Sequence, residues 1–150
     1  GQLVERLGHL ESRFTLPVTA ALTTDVLTVP PDATVSEFVW IHALGRRQTV
    51  VPVVDGDQYI GLCSVEQCTK IERDEWENTT VGEVVSDDLA AATPSWTLRD
   101  VVAAMESGES DILAVADSSG GFIGVVYEAE IVKLGEILDE TGSGSPYSSS

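Results

Sequence analysis

Two stretches of this chain place a hydroxyl side chain three residues ahead of an amide or a carboxylate, at the point where a strand gives way to a helix. The first is "GLCSVEQC", which offers Ser64 and Gln67; the second is "GVVYEAEI", which offers Tyr127 and Glu130. Backbone N–H groups at a helix start favour anions. A hydroxyl and a carboxylate on one face of a first turn have the reach to hold a sugar's hydroxyls. The same residues also make a plain helix cap, with Ser64 as N-cap and Gln67 at the third helical position, and spacing alone favours the cap.

Other reactive residue types carry less. His9 and His42 are far apart, and neither lies at metal-ligand spacing from a cysteine. Cys63 and Cys68 have four residues between them, which is neither a zinc nor a redox motif, so both read as small buried residues. "DSSGGFIG" is glycine-rich, but a strand follows it, where a phosphate loop needs a helix. "ERDE" (72–75) reads as a solvated run. With no nucleophile, metal set or acid–base pair apparent, the expectation is a chain that does no catalysis.

The elements that position the two stretches come in two copies. Residues of the first meet counterparts 63 positions on: Asp25 meets Asp88, Pro31 meets Pro94, Thr34 meets Thr97, Glu37 meets Asp100, and Gly61 meets Gly124. Such a repeat implies one small α/β unit used twice, with an interface between the copies. In the first copy, residues 26–29 read as a short strand. Thr34 and Glu37 cap a helix burying Val35, Phe38, Val39 and the His42 position, stopped by Gly45. Residues 49–55 and 58–64 form a hairpin about Asp55-Gly56, and 65–71 begin a helix. In the second, residues 89–92 are the short strand and Thr97 and Asp100 cap a helix striped by Leu98, Val101, Val102 and Met105. Gly108 ends that helix, 111–117 and 121–127 form the hairpin, and a helix runs from about 128 to 138. Leu3, Leu7, Leu10 and Phe14 predict a lead-in helix, and "VTAAL" a further turn. The predicted organisation is lead-in helix 1–16, first repeat 17–71, linker 72–80, second repeat 81–139 and a flexible Gly/Ser tail from 140. The fold class is α/β (α+β), as two β-α-β-β-α repeats.

Eight basic side chains against twenty-five acidic ones leave a net charge of −17. That charge argues against nucleic acid and against an anionic membrane surface as partners. No apolar run reaches the roughly 18–20 residues of a membrane span, and no signal peptide opens the chain. Two cysteines without a disulfide framework fit a reducing compartment.

In this order, the segments "VLTVPPDATVSEFV", "VVPVVDGDQYIGLCSVEQC", "TVGEVVSDDLAAATPSWTLRDVV" and "ILAVADSSGGFIGVVYEAEI" resemble a tandem pair of CBS domains, a Bateman module, over residues 17–139. The resemblance implies two repeats packed about a pseudo-two-fold axis, clefts that take adenine nucleotides such as AMP, ADP or ATP, homodimers, and a regulatory role without chemistry. The family's nucleotide pattern is glycine, two apolar residues, Thr or Ser, two more, then Asp for the ribose. Ser64 fits it but Gln67 does not; Glu130 keeps a carboxylate but Tyr127 displaces the small hydroxyl residue. By the same resemblance Arg46 and Arg47, before the "PV" strand that holds Pro52, stand near the phosphate position, where the second copy has Asp111. The implied site is one cleft, with Glu130 for the ribose and backbone near Ala92 and Ala114 for the base. The linker "IERDEWENTTVGEVV" is similar to cytosolic tails of prokaryotic chloride-channel-family transporters and, as an alternative, of intramembrane zinc proteases. The resemblance thus implies a cytoplasmic module joined to a membrane-embedded transporter domain of the same polypeptide. A purely structural dimerisation module is the rival reading.

Overall fold

A computed structural model describes residues 15–43, 45, 48–86 and 90–142, with the side chains of 41–43 and 137–142 excepted. The predicted lead-in helix, His9, Arg46, Arg47 and the tail from residue 143 lie outside the described residues, as does the His42 side chain. The elements in chain order are a 3₁₀ turn Val18–Ala21, α1 Val35–Glu37 continuing as a π-helical stretch Phe38–Ala43, and β1 Val50–Asp55. Next come β2 Gln58–Ser64, α2 Val65–Cys68, a 3₁₀ turn Arg73–Glu75, α3 Val81–Val84 and α4 Leu98–Gly108. The last three are β3 Ile112–Ala116, β4 Phe122–Tyr127 and α5 Glu128–Gly142. The predicted α/β class holds, with two antiparallel two-stranded sheets, β1–β2 and β3–β4, among the described residues.

Two details depart from the sequence reading. Residues 26–29 and 90–92 are not strands: the first stretch makes one parallel bridge, Val29 to Val53, and the second one such bridge, Ala92 to Val115, among the described residues, with Leu89 outside them. Each is too short to propagate a ladder, so the edge is held by a few backbone hydrogen bonds instead. Gly45 is itself helical, and Leu44, Arg46 and Arg47 around it lie outside the described residues. Gly108 is the last helical residue of α4, where the sequence places the end of that helix, and Glu109 takes the left-handed position after it at φ 53°. The final helix runs on to Gly142 instead of ending near 138, so the first residues of the predicted tail are helical.

The chain divides into two compact units that do not follow the order of the repeats. One comprises Asp25–Ala90 with Ala116–Ile123; the other comprises Gly1–Thr24, Ala91–Val115 and Gly124–Ser150. In the first unit, Val29, Val35, Phe38, Val39, Val51, Val53, Cys63, Cys68, Trp76 and Val81 form one apolar core. Burying side chains of this size stabilises by roughly 1.5–3 kcal/mol each before conformational entropy is counted. The Thr34 hydroxyl accepts from the Glu37 N–H at 3.0 Å while the Glu37 carboxylate accepts from the Thr34 N–H at 3.0 Å, the capping box read from the sequence. Arg73 lies 5.0 Å from the ring centres of both Trp40 and Trp76, so the linker's cation sits between two aromatic faces.

In the second unit Leu98, Val101, Val102 and Met105 of α4 are buried, as their helical spacing requires, together with Ile112, Leu113, Val115, Val125, Val126 and Ile131. Thr97 and Asp100 cap α4 reciprocally.

Each unit borrows a segment from ahead of the other repeat. In the first unit, Leu62 and Ser86 exchange both backbone hydrogen bonds at 2.9 and 2.8 Å, and Val35 N–H donates to the Thr79 carbonyl at 2.8 Å. In the second unit the counterparts 63 positions away do the same. Val125 and Thr23 exchange bonds at 2.9 and 2.7 Å, and Leu98 N–H donates to the Leu16 carbonyl at 2.9 Å. The repeat in the sequence is therefore not the folded unit; the folded unit is a repeat plus a borrowed edge.

Candidate functional site

Within the first unit, β2 ends at Ser64, whose extended backbone (φ −117°, ψ 151°) makes it the N-cap of α2. Its hydroxyl oxygen accepts from the Gln67 N–H at 3.1 Å. The Gln67 side-chain carbonyl accepts in return from the Ser64 N–H at 3.1 Å and from the Ser64 hydroxyl at 3.2 Å. The two side chains singled out for a sugar thus satisfy each other, the reciprocal arrangement that the amide at the third helical position permits. Pro52 is buried in β1, and its carbonyl accepts from the Val29 N–H at 3.0 Å.

Cys63 and Cys68 stand on either side of this turn, and the structure brings them together. Both are fully buried, and their sulfurs are 3.9 Å apart. The hydrogen bond with Cys68, then burial, then the Cys68 charge push the Cys63 thiol far above its ordinary range. The same hydrogen bond holds Cys68 below its ordinary value, against the opposing effect of burial. The spacing of five was legible in the sequence; the missing signal was that a strand-to-helix turn between them folds one sulfur back over the other.

Within the second unit, β4 delivers Tyr127 to the start of α5, a helix of fifteen residues with Glu128 and Glu130 in its first turn. The Glu128 N–H donates to the Asp111 carbonyl at 2.9 Å, which ties the helix start to the turn before β3. Tyr127 is half-buried, and burial, then the Asp111 carboxylate, raise its phenol above the ordinary value. Asp111, Tyr127, Glu128, Ala129 and Val132 line an open cavity of about 260 Å³. Glu130 is exposed and is not among the described residues lining that cavity, so Tyr127 and Glu130 do not share it. Ala92 and Ala114 are buried, and the Ala92 N–H donates to the Ala114 carbonyl at 2.9 Å. Those two backbone groups are committed to each other; a base at this edge would use their neighbours.

The described lining is acidic, with Asp111 and Glu128 and no Lys or Arg. A phosphate placed there would face like charge, whereas a ribose diol can donate to a carboxylate. Among the described residues no group of three or more His, Cys, Asp and Glu is placed to hold a metal ion, and no described helix is long and apolar enough to cross a membrane.

A protein-family model described as "CBS domain" matches the chain twice, over residues 18–72 and 81–136. No curated protein sequence matches it. Solved structures share the fold. CBSX2 in complex with AMP is 18% identical with a TM-score of 0.73, covering 83% of this chain and 99% of that one. The CBS domain of the bacterial CNNM/CorC family Mg2+ transporter in complex with ATP is 15% identical with a TM-score of 0.74, covering 89% and 96%. CbpB in complex with c-di-AMP is 18% identical with a TM-score of 0.72, covering 91% and 93%.

Proposed function

Because the chain belongs to the CBS-domain family and carries two copies of the domain, we propose that it is a regulatory module that senses an adenine nucleotide. The observation that carries this reading is the start of α5, where Tyr127 and the acidic first turn open a fifteen-residue helix beside an open cavity. Glu130, exposed on that same first turn but outside the cavity lining, accepts the ribose diol, and backbone next to Ala92 and Ala114 meets the base. AMP, ADP and ATP are the candidate ligands, and fold relatives captured with AMP, ATP and c-di-AMP support an adenosine moiety as the common element. No catalytic role is assigned to any residue.

The mechanism is linkage. A ligand that binds one arrangement of the module more tightly than another shifts the population toward it, and an attached domain responds. The parent we propose is a membrane-embedded transporter of the same polypeptide, with the module on the cytoplasmic side and paired as a homodimer. The linker's similarity to chloride-channel tails favours that parent. The likeness to a Mg2+ transporter's CBS domain supports a transporter in general. An intramembrane zinc protease is the alternative parent.

A thermal-shift series with AMP, ADP and ATP tests the sensing reading. Ligand at about 100 times its dissociation constant stabilises by about 2.7 kcal/mol, a shift of several degrees. Absence of any shift at millimolar concentration overturns it. A second reading, a structural dimerisation module with no ligand, is favoured by one observation: Ser64 and Gln67 bond each other. That outcome would follow from an absent shift together with a dimer in solution.

A further inference from the structure

We propose that Cys63 and Cys68 form an oxidisable pair, a modification site in which a peroxide or a low-molecular-weight disulfide links the two sulfurs and locks the turn at Ser64–Gln67. The proposal concerns the core of the first unit and does not require nucleotide binding.

Three observations carry it. The sulfurs are 3.9 Å apart, so closing to a disulfide of about 2.04 Å takes a movement of roughly 2 Å. Both thiols are free and buried in the same apolar core, which holds them against each other. The segment that carries Cys68 is a single turn, Val65–Cys68. So short a helix has little stability of its own and opens locally at far lower cost than the core strands. Local opening is how an oxidant reaches a buried sulfur without unfolding the unit.

The step balances with a peroxide. Cys68, carried on the single turn that opens while Cys63 stays in β2, attacks one peroxide oxygen as thiolate; the O–O bond breaks and water leaves after protonation, giving a sulfenic acid. The Cys63 sulfur then attacks the Cys68 sulfur, the S–O bond breaks, and a second water carries away the Cys63 proton. Two thiols and hydrogen peroxide become one disulfide and two waters. With a small disulfide the same end is reached by two exchanges, and two small thiols leave.

The linked state bridges the last residues of β2 to the end of α2, on both sides of the capping box. It therefore removes the local opening of α2 and fixes the Ser64–Gln67 pair in its reciprocal hydrogen bonds. Reduction restores the opening.

The test is peroxide treatment of the whole folded chain, alkylation after denaturation, and intact-mass measurement with peptide mapping. The expected result is loss of both alkylatable thiols, a mass lower by two hydrogens, a cross-link between the Cys63 and Cys68 peptides within one chain, and full reversal by a dithiol reductant. Cys63→Ser should leave Cys68 as sulfenic acid, trapped by a dimedone-type probe. Cys68→Ser should leave Cys63 a thiol. Two free thiols in the treated wild type, a cross-link between chains, or over-oxidation of Cys68 without linkage would each overturn the proposal. The wild-type measurement stands even where a serine variant fails to fold.

Discussion

Gly61 lies against the carbonyl of Ser86: a Cβ at Gly61 would stand 2.5 Å from that oxygen and 2.7 Å from a Val85 methyl. The counterpart in the second unit is Gly124, where a Cβ would stand 2.6 Å from the Thr23 carbonyl oxygen. The glycine in "YIGL" and in "FIGV" is thus required by the borrowed edge, whose backbone approaches too closely for any side chain.

Gly61→Ala and Gly124→Ala should each destabilise by about 1–3 kcal/mol, because the obstructing atoms are backbone and cannot rotate away. Gly56→Ala is the control. Its φ of 67° is strained for alanine but nothing lies within 4 Å of the added carbon. Its cost should be about 1–2 kcal/mol from conformation alone, with the Leu62–Ser86 hydrogen bonds intact. Urea midpoints rank the variants, and amide exchange at Leu62 and Ser86 separates the two mechanisms; unchanged exchange in Gly61→Ala would contradict the assignment.

Glu109 holds a left-handed conformation at the end of α4, in which a Cβ is unfavourable. Glu109→Gly should stabilise by about 1 kcal/mol, partly offset by the greater entropy of glycine in the unfolded chain. A thermal midpoint that falls in this variant would show that the carboxylate has a compensating partner.

Acid should weaken the hairpin tip first. Asp117 accepts from the Ser119 hydroxyl at 2.7 Å, the Ser119 N–H at 2.9 Å and the Gly121 N–H at 2.8 Å, and these bonds hold its carboxyl below the ordinary range. The Thr80 N–H, then its hydroxyl, do the same for Glu83. A carboxyl whose folded pKa is depressed adds stability that is present above its unfolded value, near pH 4, and is lost as pH falls through the folded value. Stability should therefore be flat in these two groups from neutral pH to about 5 and decline below about 4. In Asp117→Ala the decline should be shallower, as measured by urea midpoints from pH 7 to 3; an identical slope in wild type and variant would refute the role.

The two candidate ligand positions should respond oppositely. Ser64→Ala removes a cap and should cost about 1 kcal/mol of stability. Glu130→Ala alters an exposed side chain and should change stability by less than about 0.5 kcal/mol, while lowering nucleotide affinity by about tenfold or more. Denaturation and calorimetric titration of both variants decide this; full affinity in Glu130→Ala would remove that residue from the site.

Much of the local structure was legible because it depends on neighbours in sequence. The capping boxes at Thr34–Glu37, Ser64–Gln67 and Thr97–Asp100 each involve residues three apart, and the buried stripe Leu98, Val101, Val102 and Met105 follows from helical period. The strand reading of residues 26–29 failed for a physical reason: β-branched composition marks a tendency, but a ladder needs a partner of matching length, and only Val29 finds one.

The sequence by itself determined that one α/β unit occurs twice, which residues cap its helices, and that the two strand-to-helix turns are unequal. Those properties rest on short-range spacing and on chemistry each residue carries alone. Only the tertiary structure decided that each folded unit borrows its edge from ahead of the other repeat, that Gly61 and Gly124 exist to admit that edge, and that Cys63 and Cys68 meet in one core. Each of these depends on which backbone comes within a few ångströms of which, and close packing between distant segments leaves no period in a sequence.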